Sequence, residues 1–148
     1  MPINLKRVLL GGLAAGVVLN IIDFVVFTFI LGDRMRADAN AFVPGLGDAL
    51  MAGSPLPNIL MNLIIGFLLV WTYAAIRPRF GPGANTAIYA AVLFWILGGI
   101  FNSGYLVMGM MSKGLWWTFA AVYLVCLIIS SIVGASVYKE EGVVAATV

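Results

Sequence analysis

A chain of 148 residues with 63% hydrophobic side chains, 9% charged ones and a mean hydropathy of +1.09 lacks the composition of a water-soluble domain. Its net charge of +2 is too small and too dispersed for nucleic-acid binding, and it has no histidine, which removes His-ligated haem, most zinc and copper sites, and Ser-His or Cys-His pairs. The single cysteine, Cys126, excludes an internal disulfide and, inside an apolar run, reads as a small hydrophobe.

A helix needs roughly 20 mostly apolar residues to cross about 30 Å of hydrocarbon. Four such stretches fit without overlap, at Val8–Leu31, Asn58–Ile76, Thr86–Met111 and Leu115–Tyr138. The expected fold is all-α: an integral membrane four-helix transmembrane bundle, one domain over 1–148, with the connection 32–57 outside the membrane. A β-barrel would show segments of about ten residues alternating polar and apolar. Continuous runs such as Phe24–Leu31 argue for helices instead. The basic start followed by an apolar run, with small residues at Ala37–Ala39, imitates a secretory signal, but such cores run about 7–15 residues and this one is far longer.

In the first helix, Gly12, Gly16, Asn20, Asp23 and Phe27 share one narrow face. Asp23 is the one ionisable residue well inside a span, where a charge costs at least ~2.5–3.5 kcal/mol, so it needs a partner or a proton. No Lys or Arg lies within the four spans. At about 1.5 Å per residue Asp23 sits roughly 12 Å below the outer end of its helix, near the depth expected for Asn102 and Tyr123, with Asn62 somewhat above. This leaves two readings. Hydrogen bonds from Asn102, Asn62 or Tyr123 fix helix register around Asp23, or Asp23 titrates or binds a cation in a water-accessible cavity.

The connection Gly32–Pro57 carries Asp33, Arg34, Arg36, Asp38 and Asp48 beside Phe42, Val43, Leu46, Leu50 and Met51. This amphipathic pattern predicts a short interfacial helix broken at Pro44-Gly45 and stopped by Gly53-Ser54-Pro55, with its charges forming a solvated face. The second helix aligns Asn58, Asn62, Gly66 and Tyr73. Gly81-Pro82-Gly83 comes next as a turn rather than a phosphate loop, since no Gly-Lys-Ser/Thr succeeds it. The third helix aligns Trp95, Gly98, Asn102, Tyr105 and Gly109, and the fourth Cys126, Ser130 and Gly134 more loosely. Met108, Met110 and Met111 read as packing rather than soft-metal ligands. The tail Glu140–Val148 has little apolar surface with which to pack.

Each helix thus carries one small-and-polar stripe. In lipid, close backbone approach and interhelical hydrogen bonds hold helices together, so Gly12, Gly16, Gly66, Gly98 and Gly134 are expected at helix contacts. The expected intramembrane polar cluster is Asp23, Asn20, Asn62, Asn102, Tyr105 and Tyr123. The Gly-x-x-x-Asn of Gly16–Asn20 recurs at Gly98–Asn102, a weak internal echo compatible with a duplicated hairpin.

Four spans put both termini on one side. Lys6, Arg7, Arg77, Arg79 and Lys139 then face Arg34, Arg36 and Lys113, which favours cytoplasmic termini. Trp116 and Trp117 at one level, with Trp71, Tyr73 and Tyr138 at the other, fit aromatic belts.

The segment Trp71-Thr72-Tyr73-Ala74-Ala75-Ile76-Arg77-Pro78-Arg79-Phe80-Gly81-Pro82-Gly83, with the Gly-rich first helix and four-span length, resembles an uncharacterised family of small bacterial four-span integral membrane proteins. The resemblance covers most of the chain and implies bacterial origin and topology, but no activity. A looser likeness is to the small multidrug-resistance transporters, with four short helices and an essential carboxylate in the first. The long connection, the aspartate and its later position depart from that pattern.

The expected function is that of a non-enzymatic accessory or interaction component in a bacterial cytoplasmic (inner) membrane, with the lipid bilayer, further copies or other membrane subunits as partners and no cofactor or metal. The alternative is a small proton- or cation-coupled transporter or channel using Asp23, with Asn20, Asn62, Trp95, Asn102 and Tyr105 along the path. A third reading is a lipid- or quinone-handling enzyme with a pocket open to the bilayer.

Overall fold

In lipid every backbone polar group must be satisfied within the chain, and helices do this segment by segment. The computed structural model describes residues 3–138, which are all-helical with no strand among them. Lys139 and the tail Glu140–Val148 lie outside the described residues.

Helix α1 spans Leu5–Val26 and starts at Asn4, whose side chain accepts from the Arg7 N–H over 3.2 Å. A π-helical turn, Phe27–Leu31, joins it without a break to α2, Gly32–Phe42. The result is one helical rod of 38 residues. At 1.5 Å per residue it measures about 57 Å, nearly twice the hydrocarbon thickness, so its far end projects past the bilayer core.

The connection 32–57 is helical, with the expected break at Pro44-Gly45 and stop at Gly53-Ser54-Pro55, but its first part continues the first span instead of starting anew. It is the end of the first rod plus a return helix, α3, Leu46–Met51. The chain reverses at Val43-Pro44-Gly45, where Gly45 adopts φ +83°, a conformation that suits a residue without Cβ. Arg36 is ion-paired with Asp48, and its Nε donates to Asp48 Oδ1 over 2.6 Å. Asn40 donates to the other Asp48 oxygen and accepts from the Gly47 N–H over 2.7 Å. The hairpin is further tied to the bundle by Asp38, which accepts from Ser112 N over 2.8 Å.

Helix α4 runs Leu56–Phe80, α5 Ala84–Val107 and α6 Lys113–Val137. Pro57 sits in the first turn of α4, where its missing N–H costs nothing, and Pro78 in the last, so neither interrupts the span. The tight α4–α5 turn is closed by Thr86, whose hydroxyl donates to Gly81 O over 2.7 Å, and by the Gly83 N–H, which donates to the Tyr73 hydroxyl over 3.2 Å.

The first rod, α4, α5 and α6 are each long and apolar enough to cross a membrane, and the chain is a multi-pass helical membrane protein. Large apolar side chains cover its exterior, Phe24, Phe29, Phe101 and Val107 among them. The bundle has two distinct ends: a terminal end, which holds the start of α1 and the α4–α5 turn, and a cap end, which holds α2 and α3.

Helix α1 lies between α4 and α6 and is packed most closely against α4. Helix α5 packs along α6 and meets α4 mainly through its first turns, where its buried residues lie: Thr86, Ala87, Ala90 and Ala91. One core cluster, around Val8, Val70, Tyr73 and Tyr138, fills the terminal half. A second, around Leu19, Leu31, Leu69 and Leu127, fills the cap half.

Candidate functional site

Close approach of α1 and α4 is what makes a polar site between them. A Cβ on Gly12 would lie 2.6 Å from Phe67 Cα, and one on Gly16 would lie 2.8 Å from Leu63 Cα. Gly66 answers from α4, with room for no side chain against Gly16 and only 2.6 Å to Gly12 O. Gly11, adjacent to this stripe, serves α6 in the same way, opposite Gly134. With the backbones so near, the short side chains one and two turns further along α1 can reach α4 directly.

Asn20 and Asp23 are those side chains. Asn62 donates to Asp23 Oδ2 over 2.7 Å and to Asn20 Oδ1 over 3.3 Å. Asn20 in turn donates to Gly16 O on its own helix over 2.9 Å and to Ile59 O on α4 over 3.3 Å. Asn58, one turn before Asn62, lies near the Asp23 carboxyl. Asp23 is 7% exposed and Asn62 3%. A carboxylate at this depth is thus met by an amide donor rather than by a cation.

On the α6 side, Tyr123 and Cys126 lie near Asp23. Phe119 stacks on Tyr123 with ring centroids 5.6 Å apart and 12° between planes, and Phe27 tilts against Phe119 at 6.2 Å. An aromatic wall therefore screens the cluster from α5.

The remaining residues of the expected cluster are elsewhere. Asn102 turns back along α5 and donates to Gly98 O over 2.9 Å, the usual fate of a short amide with no partner across the helix interface. With Trp95, Gly98, Trp116, Phe119 and Tyr123 it lines a cavity of about 20 Å³, room for one water molecule. Tyr105 is half exposed, and together with Met61, Phe101, Asn102, Gly104 and Met108 it lines an open cleft of about 510 Å³ between α4 and α5. Of the glycines expected at helix contacts, Gly12, Gly16, Gly66 and Gly134 have less than 3 Å of clearance for a Cβ, whereas Gly98 has nothing within 4 Å.

Trp95 and Ser130 stand on the expected stripes, whereas Ser131 and the carbonyl partners across the α5–α6 contact were not legible from them. Trp95 Nε1 donates to Ala120 O over 2.7 Å, and the Ser131 hydroxyl donates to Ala87 O over 2.7 Å; both join α5 to α6. The Ser130 hydroxyl is fully buried with no hydrogen-bond partner among the described residues. The Ser130-Ser131 pair inside an apolar span was the available signal.

Chemically, the cluster is a carboxyl group flanked by amides. Its oxygens can hold a proton or accept hydrogen bonds, and among the described residues no three Cys, Asp or Glu side chains converge on a point. No family model, curated protein or solved structure matches the chain.

Proposed function

We propose that this protein is a non-enzymatic interaction component of a larger membrane assembly, with α5 as the helix that receives a partner. The supporting observation is the uneven use of glycine. The glycines of α1, α4 and α6 that carry the stripes are consumed by contacts within the chain, while a Cβ at Gly98, Gly99 or Gly104 of α5 would meet nothing within 4 Å. Only 22% of the most apolar stretch of α5 is buried, against 39% for α6. Small residues in a membrane helix let another backbone approach, and here that capacity is unspent.

The membrane is proposed to be the bacterial cytoplasmic membrane, on the resemblance of the Trp71–Gly83 segment, with both termini in the cytoplasm. The excess of Lys and Arg at the terminal end supports that orientation. The Asp23 cluster serves in this reading as a lock between α1 and α4, since its donors come from neighbouring helices and it sits behind Tyr123 and Phe119.

The test is intramembrane cross-linking of the full chain in native membranes, with Gly98→Cys in a Cys126→Ala background. A discrete cross-linked species formed at that cysteine, and lost when Gly99→Leu is added while the fold is retained, is expected. Labelling of that cysteine by lipid-soluble reagents alone, with no protein adduct, would overturn the proposal. Proton or cation flux in proteoliposomes that disappears with Asp23→Asn would put transport in its place.

A further inference from the structure

The charges of the chain are divided unequally between its two ends. At the cap end, Arg34, Arg36 and Lys113 are matched by Asp33, Asp38 and Asp48. Much of that charge is already engaged, since Arg36 is paired with Asp48 and Asp38 accepts from the start of α6. At the terminal end the described residues include Lys6, Arg7, Arg77 and Arg79 and no carboxylate. In the sequence, Lys139, Glu140 and Glu141 follow the last described residue.

The same end has a rigid frame. The Arg77 guanidinium lies 5.9 Å from the centroid of the Tyr138 ring, and Tyr138 meets Tyr73 edge-on at 6.0 Å. Tyr73 holds Gly83, and Thr86 holds Gly81, so the α4–α5 turn is fixed from both sides. Arg79 is exposed beside Phe80, whose ring packs edge-on against Tyr89 at 5.5 Å. More than half of each of these two residues remains uncovered. A cation therefore stands next to an apolar aromatic ledge at the end of a spanning helix, a combination suited to the boundary between head groups and acyl chains.

The geometry points to a binding surface for anionic phospholipid at the terminal end, with Arg79 receiving the phosphodiester, the Phe80–Tyr89 ledge receiving the start of the acyl chains, and Lys6 and Arg7 adding to the positive potential of the same end. A zwitterionic lipid brings its own ammonium group and gains little from Lys6, Arg7 and Arg79, whereas a lipid with net negative charge neutralises them. The attraction is exposed and falls with ionic strength.

The experiment uses the full chain reconstituted in phosphatidylcholine bilayers containing spin-labelled phosphatidylglycerol or spin-labelled phosphatidylcholine, and reads the motionally restricted lipid at the protein surface. The expected result is a several-fold preference for phosphatidylglycerol that declines with salt. It is abolished by combined Lys6→Gln, Arg7→Gln and Arg79→Gln and retained with Arg34→Gln and Lys113→Gln at the cap end. If the triple variant does not reconstitute, Arg79→Gln alone reads the same effect with a smaller reduction. Absence of a preference, equal loss in the terminal-end and cap-end variants, or displacement of the labelled lipid by inorganic phosphate would each overturn the proposal. Because this surface is remote from Gly98, its failure leaves the cross-linking outcome unaffected.

Discussion

Asn62 holds Asp23 by a 2.7 Å hydrogen bond that crosses from α4 to α1, in a place where neither side chain has more than 7% of its surface exposed. A buried carboxyl left without its donor bears the full cost of desolvation, whereas removing both members of the pair removes that penalty and leaves only Asn20 Oδ1 short of a donor. Asn62→Leu is therefore expected to destabilise the protein by ~1–3 kcal/mol. The double variant Asp23→Leu with Asn62→Leu should lose less than Asn62→Leu alone, and Asp23→Asn should be nearly neutral because an amide oxygen still accepts. Helical circular dichroism followed through SDS-induced unfolding of the micellar protein checks all three. Equal losses in the single and double leucine variants would show that the pair is not coupled.

The glycines divide into two groups that alanine substitution should separate. Gly12→Ala and Gly16→Ala place a methyl within 3 Å of backbone atoms of α4, so the helices must part, at a cost of roughly 1–3 kcal/mol. Gly98→Ala meets nothing and should be neutral or stabilising by up to about 1 kcal/mol through helix propensity alone. Thermal unfolding in detergent distinguishes the two. A Gly98→Ala variant destabilised as much as Gly12→Ala would mean that α5 is closely packed at Gly98 after all.

Trp95 is the main polar tie between the cap half of α5 and α6, through its indole bond to Ala120 O. Trp95→Phe keeps the ring and loses the donor, leaving a buried carbonyl one bond short. The expected cost is about 1 kcal/mol. Its more telling consequence is local: amides of residues 96–107 should exchange faster while those of 86–91, held by Ser131 and the α4–α5 turn, stay protected. Uniform acceleration along α5 would contradict a helix anchored at one end.

Ser112 and Asp38 act together at the start of α6. Ser112 Oγ accepts from Leu115 N over 3.3 Å, while Ser112 N donates to Asp38. Ser112→Ala should cost ~0.5–2 kcal/mol as the loss of an N-cap. Asp38→Ala should instead release α2, which shows as faster limited proteolysis between α2 and α3 with little change in the bundle. Cleavage rates unchanged by Asp38→Ala would sink this assignment.

Much of this arrangement is legible in the sequence, for physical reasons. The spans follow from composition, because the solvent they face is apolar. The α1–α4 contact follows from Gly12, Gly16 and Gly66, whose spacing places them on single faces. Asp23 and Asn62 follow in turn, since short polar side chains adjacent to close-packed backbones have few other partners. Rotation of α5 about its axis does not follow. The stripe of α5 marks one side of the helix but not which neighbour that side meets: Trp95 bonds to α6, and Asn102 and Tyr105 stand on the cavity and cleft instead of beside Asp23. The Asp38–Ser112 contact joins residues 74 apart and has no local signature. Gly32-Asp33 looks like the end of a helix, yet the chain winds on through it.

That winding has a geometric result. A π turn holds an extra residue, and Phe27–Leu31 closes on Gly32, whose α-carbon lies over the Phe27 carbonyl with no space for a side chain. Everything beyond the turn is advanced by one residue, about 100° of azimuth. The face that α1 presents to α4 and α6 is therefore not the face that α2 continues, and the offset sets the azimuth from which Asp38 meets α6. The five residues work as a phase shifter in an otherwise continuous shaft. Deleting one of them, Thr28 for example, would leave the span long enough to cross the bilayer while pointing the hairpin in a different compass direction.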